Sequence, residues 1–298
     1  MYYYHSYNAA MQRLFGEKVY KLSLSSGCSC PNRDGTLGSK GCSFCADGSG
    51  DFAEIGNIDD QIESAKKRVA AKFKGSRYIA YFQSYTNTYG DVDRLRRLYL
   101  PLLERDDIVG ISIATRPDCL APPVMELLSE LAAAKPLWVE LGLQTIHEES
   151  ARAIRRGYEL PVFEEAVKKL RSIGVRVVVH VILGLPGESR EMMLETVRYV
   201  GRCGAEGIKL QLLHVLDGTD MAADYAAGQF EVMELEEYAR LLADCLRLLP
   251  AEMVIHRLTG DGAKKRLIAP LWSADKKKVL NRVRAVLDAG NTVQGSAL

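Results

Sequence analysis

The sequence predicts an α/β fold built on a parallel sheet: a partial (β/α) barrel of about six βα units with a C-terminal α/β extension. Three observations carry this. Apolar runs rich in β-branched and aromatic residues recur along the chain. They are nearly continuous rather than alternating, as strands covered on both faces are. Segments of helical period separate them, and strand and helix alternate at least six times, which argues for parallel βα units in a barrel or a doubly wound sheet.

Taken in order, the strand runs are residues 19–24, 77–82, 108–113, 137–143, 175–183 and 208–213, with a weaker seventh at 253–255. Between them lie single helical stripes: Ile58, Ile62, Val69 and Phe73; then Phe163, Ala166, Val167, Leu170 and Ile173; then Met193, Val197 and Val200; then Leu235, Tyr238, Leu241, Leu242 and Cys245. No long linker or low-complexity tract divides them. We therefore expect a helical extension over 1–16, a barrel over 17–215, and an extension over 216–298 that closes the barrel and ends in a basic helix at about 273–288. Ser273 is the expected cap of that helix, and Val279, Leu280, Val283, Val286 and Leu287 its apolar stripe.

The 298 residues are 47% hydrophobic and 26% charged, which excludes disordered, collagenous and coiled-coil chains. No apolar run approaches the roughly 18 residues that span a bilayer, and the N-terminus is too polar and aromatic for a signal peptide, so a cytoplasmic protein is expected. Net charge is +1, yet between His256 and Arg284 nine basic residues face two acidic ones. Such a segment is an electrostatic footprint for a polyanion or a solvated helix face.

Four of the seven cysteines, Cys28, Cys30, Cys42 and Cys45, fall within eighteen residues. In a reducing compartment such a cluster holds a metal or does redox work more often than it forms disulfides. Cys42 and Cys45 form C-x2-C, and Cys30 joins them across a Gly-rich loop. Three thiolates leave one coordination position open, whereas a structural zinc site closes with four ligands. Thiolates suit zinc or an iron–sulfur cluster alike, and Cys28 stands as a possible fourth ligand, although its one-residue spacing from Cys30 points the two side chains apart in extended backbone. Cys119, Cys203 and Cys245 read as packing.

Polar residues also interrupt the buried runs. Glu140 and Gln144 share one strand face, as do Lys209 and Gln211, and His180 lies in the middle of VVVHVIL. Burying them unpaired costs a few kcal/mol each, so they pair with one another or with a ligand. Inward positions near strand C-termini are where parallel barrels bind ligands.

The segment C-P-N-R-D-G-T within C-x11-C-x2-C, with Phe44 just before the last cysteine, resembles the YhcC/YtqA-like radical S-adenosylmethionine (SAM) family, a relative of the elongator catalytic subunit. F-G-E-K-V-Y-K, Y-F-Q-S-Y-T-N-T-Y, T-R-P-D-C, W-V-E-L-G-L-Q-T, H-V-I-L-G-L-P-G-E, L-H-V-L-D-G-T and H-R-L-T-G-D-G extend the resemblance along nearly the whole chain. The departure is Cys28, where a non-cysteine is expected.

The resemblance implies a radical SAM barrel and an enzyme in which Cys30, Cys42 and Cys45 hold a 4Fe–4S cluster. SAM chelates the fourth iron and is cleaved to a 5′-deoxyadenosyl radical, with an external donor of flavodoxin or ferredoxin type supplying the electron. It also implies SAM contacts: Phe44 against the adenine; Gln83, Ser84, Tyr85 and Thr86 at the methionyl amino group; Glu140 and Gln144 at the ribose. Arg156, or Arg155 in its place, meets the methionyl carboxylate, and Gly184 and Gly187 give backbone approach to the adenine. Lys209, Gln211 and His214 serve cofactor or substrate. Tyr89, Arg116, Asp118, His180, His256, Arg257 and Asp261 are left for substrate.

The branch modifies carbon 5 of wobble uridine, and YtqA-like members resemble proteins implicated in converting carboxymethylaminomethyl uridine to aminomethyl uridine. With a tRNA partner, Lys277, Lys278 and Arg282 on the basic helix are expected phosphate contacts. The alternatives are a radical SAM enzyme on a small-molecule or protein substrate and, in another class, a zinc-stabilised RNA-binding scaffold without catalysis.

Overall fold

The computed structural model describes residues 3–46, 56–260 and 265–298. Helix α1 (Tyr7–Phe15) precedes β1 (Tyr20–Leu24), followed by α2 (Ile58–Val69), β2 (Tyr78–Phe82), α3 (Val92–Tyr99), β3 (Ile108–Thr115), α4 (Pro122–Ala134) and β4 (Leu137–Gln144). Next come α5 (Glu148–Ala153), α6 (Leu160–Ser172), β5 (Arg176–Leu183), α7 (Arg190–Arg202) and β6 (Gly207–Leu212). The remainder holds β7 (Val215–Leu216), α8 (Asp220–Ala226), α9 (Leu235–Arg247), β8 (Val254–Arg257), β9 (Leu267–Ala269) and α10 (Lys276–Ala289).

Seven parallel strands, ordered β1-β2-β3-β4-β5-β6-β8, curl into a half-barrel, and the weak seventh run is β8, paired on β6. The antiparallel pair β7 and β9 is not visible as periodicity, because two- and three-residue strands are too short to show one. Helix starts follow local chemistry: Asn57, Asp91, Ser189 and Thr219 each accept a hydrogen bond from a first-turn backbone N–H of α2, α3, α7 and α8. The stripe residues Ile62, Phe163, Val167, Leu170, Val197, Tyr238, Leu241 and Leu242 are buried against the outer sheet face.

Inside the curl, Val19, Ile79, Val109, Trp138 and Val178, all at strand starts, pack with Met11, Tyr7 and Phe15 of α1. The N-terminal helix therefore plugs the end of the barrel opposite the strand C-termini.

The C-terminal segment departs from expectation. Asp275, whose side chain accepts from Lys278 N, caps α10, while Ser273 sits in a preceding 3-10 turn. Val279, Val283 and Leu287 are buried, but Leu280 is 40% exposed. Helix α10 packs on α9, and α9 on α7, as an outer layer. Of residues 216–298, β8 completes the half-barrel wall, and Met221 of α8 with Phe230 packs beside Phe44 at the strand ends.

Candidate active site

The loop after β1 is folded around its cysteines. Backbone N–H groups of Arg33 and Asp34 donate to Cys30 O, and Cys45 N donates to Cys42 O, two tight turns that turn the thiols toward one cavity wall. Asn32 fastens the loop to the segment after α5: its Nδ2 donates to Arg155 O at 2.8 Å and to Cys42 Sγ at 3.4 Å. Gly157 permits this contact, since a Cβ there would lie 2.7 Å from Asn32 Oδ1 and its φ is +83°. Arg33 Nη2 donates to Cys45 O at 2.5 Å. Burial pushes the Cys42 thiol up to about 11, with Cys45 adding to the shift and Asn32 opposing it.

Cys28 is not part of this wall. It is buried in the core, where Arg94 Nη1 donates to its Sγ at 3.4 Å. Cys245 is buried, Cys203 half-buried, and burial pushes the half-buried Cys119 thiol, beside Asp118, up to about 12. Among the described residues no three His, Cys, Asp or Glu side chains converge on one metal-ion point. Cys30, Cys42 and Cys45 all line the cavity, and three thiols are a donor set that suits a cluster with a fourth corner open.

The cavity has a volume of about 820 Å³ and is lined both by residues at the strand C-termini, such as Gln83, Gln144 and Leu213, and by Tyr7, Asn8, Lys18 and Val19 at the start of β1. Of the residues singled out from sequence, it brings together Cys30, Cys42, Cys45, Phe44, Gln83, Tyr85, Thr86, Arg116, Glu140, Gln144, Arg156, His180, Lys209, Gln211, His214 and Arg257. Ser84, Tyr89, Asp118, Gly184, Gly187 and His256 do not line it, nor do Lys277, Lys278 and Arg282 of α10. Asp261 lies outside the described residues.

Several of these side chains are committed elsewhere. Arg156, 2% exposed, donates to Thr145 O at 2.7 Å, Leu143 O at 3.3 Å and Tyr158 O at 3.0 Å, and pairs with Glu148 at 3.1 Å. It ties the end of β4 to α5, in place of the carboxylate contact the resemblance implies. Arg155 donates to Gly41 O and pairs with Asp220. Gly184 and Gly187 have φ of +88° and +81°, and a Cβ on Gly184 would meet Met233 Sδ, so their role here is the turn after β5. His256 packs against Tyr7 of α1, 5.0 Å between ring centroids and tilted by 48°. Asp118 holds Arg116 in a fork at 2.9 and 2.7 Å, which leaves Arg116 Nη1 donating to Arg156 O.

Glu140 is the largest correction. It is fully buried, and its carboxylate accepts from Lys21 Nζ at 2.8 Å, Ser112 Oγ at 2.7 Å, Tyr81 OH at 3.1 Å and His180 Nε2 at 2.8 Å, and pairs with Lys209. No acceptor capacity remains for a ribose. Against the opposing push of burial, Lys209, Lys21 and His180 hold its pKa well below the carboxylate range. Gln144, four residues later at the strand end with φ +69°, does face the upper cavity.

Lys21, Tyr81 and Ser112 were missed in the sequence. Their signal is parity: Lys21 shares a strand face with Ser23, and polar side chains on the inner face of β1 and β3 need a partner just as those of β4 do. Lys18, Arg68 and Lys72, exposed beside β1 and α2, also line the cavity and carried no signal at all.

The sequence pattern of the radical SAM superfamily matches residues 30–200, starting at Cys30, and that of the radical SAM C-terminal domain matches residues 205–289. The chain belongs to the radical SAM superfamily. Within it, the chain belongs with the YtqA/YhcC proteins, being 46% identical to YtqA of Bacillus subtilis over 98% of this chain and 92% of that one. Identity to YhcC of Escherichia coli K12 is 36% over 97% and 93%. A tRNA uridine(34) acetyltransferase of Dehalococcoides mccartyi is 30% identical over 51% of this chain and 33% of its own. The fold is shared with Elp3 of Methanocaldococcus infernus, at TM-score 0.72 and 16% identity over 93% of this chain and 64% of that one. The chain is thus a radical SAM enzyme whose cofactors are a 4Fe–4S cluster and SAM. Among the described residues no helix is long and apolar enough to cross a membrane.

Proposed function

We propose that this enzyme modifies the side chain at carbon 5 of a wobble uridine in tRNA, in the manner of carboxymethylaminomethyl to aminomethyl conversion. The observation that supports it most is the cavity: three thiols and the polar ends of β2, β4 and β6 face one basic space on a chain of net charge +1. Half of the chain also resembles enzymes that act on tRNA uridine 34. Cys30, Cys42 and Cys45 hold the cluster in this reading, with Phe44, Gln83, Tyr85, Thr86 and Gln144 around SAM. When bound, cluster and SAM supply a 5′-deoxyadenosyl radical that takes a hydrogen atom from the substrate.

The chain's own residues do the rest. Helix α1 packs on the strand-start apolar layer and narrows the barrel at that end. The Asn32 and Arg33 hydrogen bonds fix the thiol loop before any ligand arrives. Arg116, locked by Asp118, supports the backbone at Arg156 beside that loop.

Two measurements test the reading together. Anaerobically reconstituted protein should be brown with about four irons, a colour that Cys30→Ala, Cys42→Ala and Cys45→Ala each abolish and Cys28→Ala keeps. In a host that makes the modified nucleoside, deleting the gene should leave carboxymethylaminomethyl uridine unprocessed by mass spectrometry of tRNA. An unchanged wobble-uridine profile rejects the tRNA substrate, and loss of the cluster in Cys28→Ala rejects the ligand set.

A further inference from the structure

Asn32 follows Cys30 and Pro31 in the thiol loop and is 6% exposed. Around it the loop is zipped to the segment after α5: Ser43 N donates to Ile154 O at 3.1 Å, Arg155 Nε to Gly41 O at 2.9 Å, and Asn32 Nδ2 to Arg155 O at 2.8 Å. That last bond uses one of the two amide N–H groups. The other has two acceptors in reach, Arg156 O at 3.3 Å and Cys42 Sγ at 3.4 Å. Arg116 Nη1 already serves Arg156 O at 2.8 Å, and 3.3 Å is long for a bond to oxygen, whereas sulfur is the larger atom. The second N–H therefore belongs to the sulfur. Turning the amide over would set Oδ1 against two carbonyl oxygens, so the orientation is fixed by its neighbours.

A thiolate bound to iron keeps lone pairs that can accept such a bond. The reduced cluster carries one more negative charge than the oxidised one, shared with its sulfurs, so a donor on a ligand sulfur holds the reduced state more strongly and raises the potential. Burial keeps water from taking the donor's place. Arg116 reaches the same corner, with a Cβ on Gly157 lying 3.3 Å from its Nη2, but its charge is shared with Asp118. Asn32 has no such counterweight on its N–H.

We propose that Asn32 is a positioning residue for the electron-transfer step: it donates to the Cys42 ligand and raises the potential at which the cluster takes up its electron. The inference rests on the assignment of Cys30, Cys42 and Cys45 to the cluster and holds for any substrate.

The readout is the reduction potential of anaerobically reconstituted protein without SAM, followed by the EPR signal of the reduced cluster in a potentiometric titration. Asn32→Leu, close to asparagine in shape but without an amide, should lower the equilibrium constant for reduction about tenfold, or about 59 mV for one electron. Gly157→Ala keeps Asn32 but places a Cβ 2.7 Å from its Oδ1, and should lower the potential in the same direction. A second measurement needs no variant. In wild type labelled with nitrogen-15 in its asparagine side chains, pulsed EPR of the reduced cluster should show coupling to an amide nitrogen, a signature that a clip between two loops would not give. An Asn32→Leu cluster that titrates at the wild-type potential overturns the tuning role. So does the absence of nitrogen coupling in wild type, which decides the matter even where the variants fail to assemble. If Cys42→Ala keeps the cluster, the ligand assignment falls and this inference with it; a colourless Cys42→Ala beside an unshifted Asn32→Leu leaves that assignment standing.

Discussion

Two regions of this chain carry surplus positive charge, and they differ in what surrounds it. On α10, Lys277 and Lys278 are exposed, and Arg282 is spent on Glu236 at 2.5 Å across the α9 interface. In the barrel, Lys21 and Lys209 share Glu140 in a cavity whose lining adds Lys18, Arg68 and Lys72 beside the start of β1 and the end of α2. A concave, low-dielectric wall focuses its field into the space where substrate sits, while a convex helix disperses its field into solvent. The sequence displays the first cluster as a run and hides the second, scattered over β1, β4, β6 and the surroundings of α2.

The sharpest way to break the comparison is to remove the one acid inside the barrel. Glu140→Ala leaves the buried Lys209 ammonium and the half-buried Lys21 ammonium without their counter-charge and should cost about 3–5 kcal/mol in urea unfolding. Reversing Arg282 to Glu on α10 should stay within about 1 kcal/mol, as exposed pairs do. Acid should act on the barrel as well. The folded pKa of Glu140 is depressed, so its stabilisation is full above the unfolded value near 4.5 and is lost as pH falls through the folded one. Lys209 has the opposite history: its folded pKa is pushed down from 10.5 to about 7, so the unfolded chain binds more protons between those values. Stability should therefore rise from pH 7 to about 9, a slope that Lys209→Met removes. Above that window, thiols raised by burial act the other way, Cys245 among them.

Next in size is tRNA affinity. Lys18, Arg68 and Lys72 changed together to Glu should lower the slope of log K against log salt by about 3, since each phosphate contact contributes roughly 0.9. The same change at Lys277, Lys278 and Arg282 should lower it by less, because that helix lies off the cavity and one of its three charges is already paired. Equal slopes for the two triple variants would erase the distinction between the regions. The smallest effect concerns α10 alone: Asp275→Ala should cost about 1 kcal/mol as a lost cap, and Ser273→Ala should stay within about 0.5.

The residues themselves explain which parts were legible. Strands buried on both faces write themselves as apolar runs, and a helix on a sheet writes a single stripe, so the succession of parallel βα units could be read before any coordinate, while the choice of a barrel came from the resemblance. The thiol trio was legible too, because its chemistry depends on spacing along one loop. Parity placed Glu140, Gln144, Lys209 and Gln211 on the inner face, and there it stopped. Which of them bind each other depends on height along the barrel axis, a quantity set by the stagger of neighbouring strands and absent from any one strand. That stagger aligns His180 with Lys209 and Lys209 with Arg257, and it buries Glu140 among five donors while leaving Gln144 at the cavity. The same limit applies to Arg156, whose guanidinium satisfies carbonyls brought together by the end of β4 and α5, and to Lys18, which lines one cavity with the sequence-distant Arg68 and Lys72 only once β1 and α2 pack. Local chemistry is fixed by neighbours in the chain, whereas the pairing of buried charges is fixed by neighbours across the sheet, and only folding chooses those.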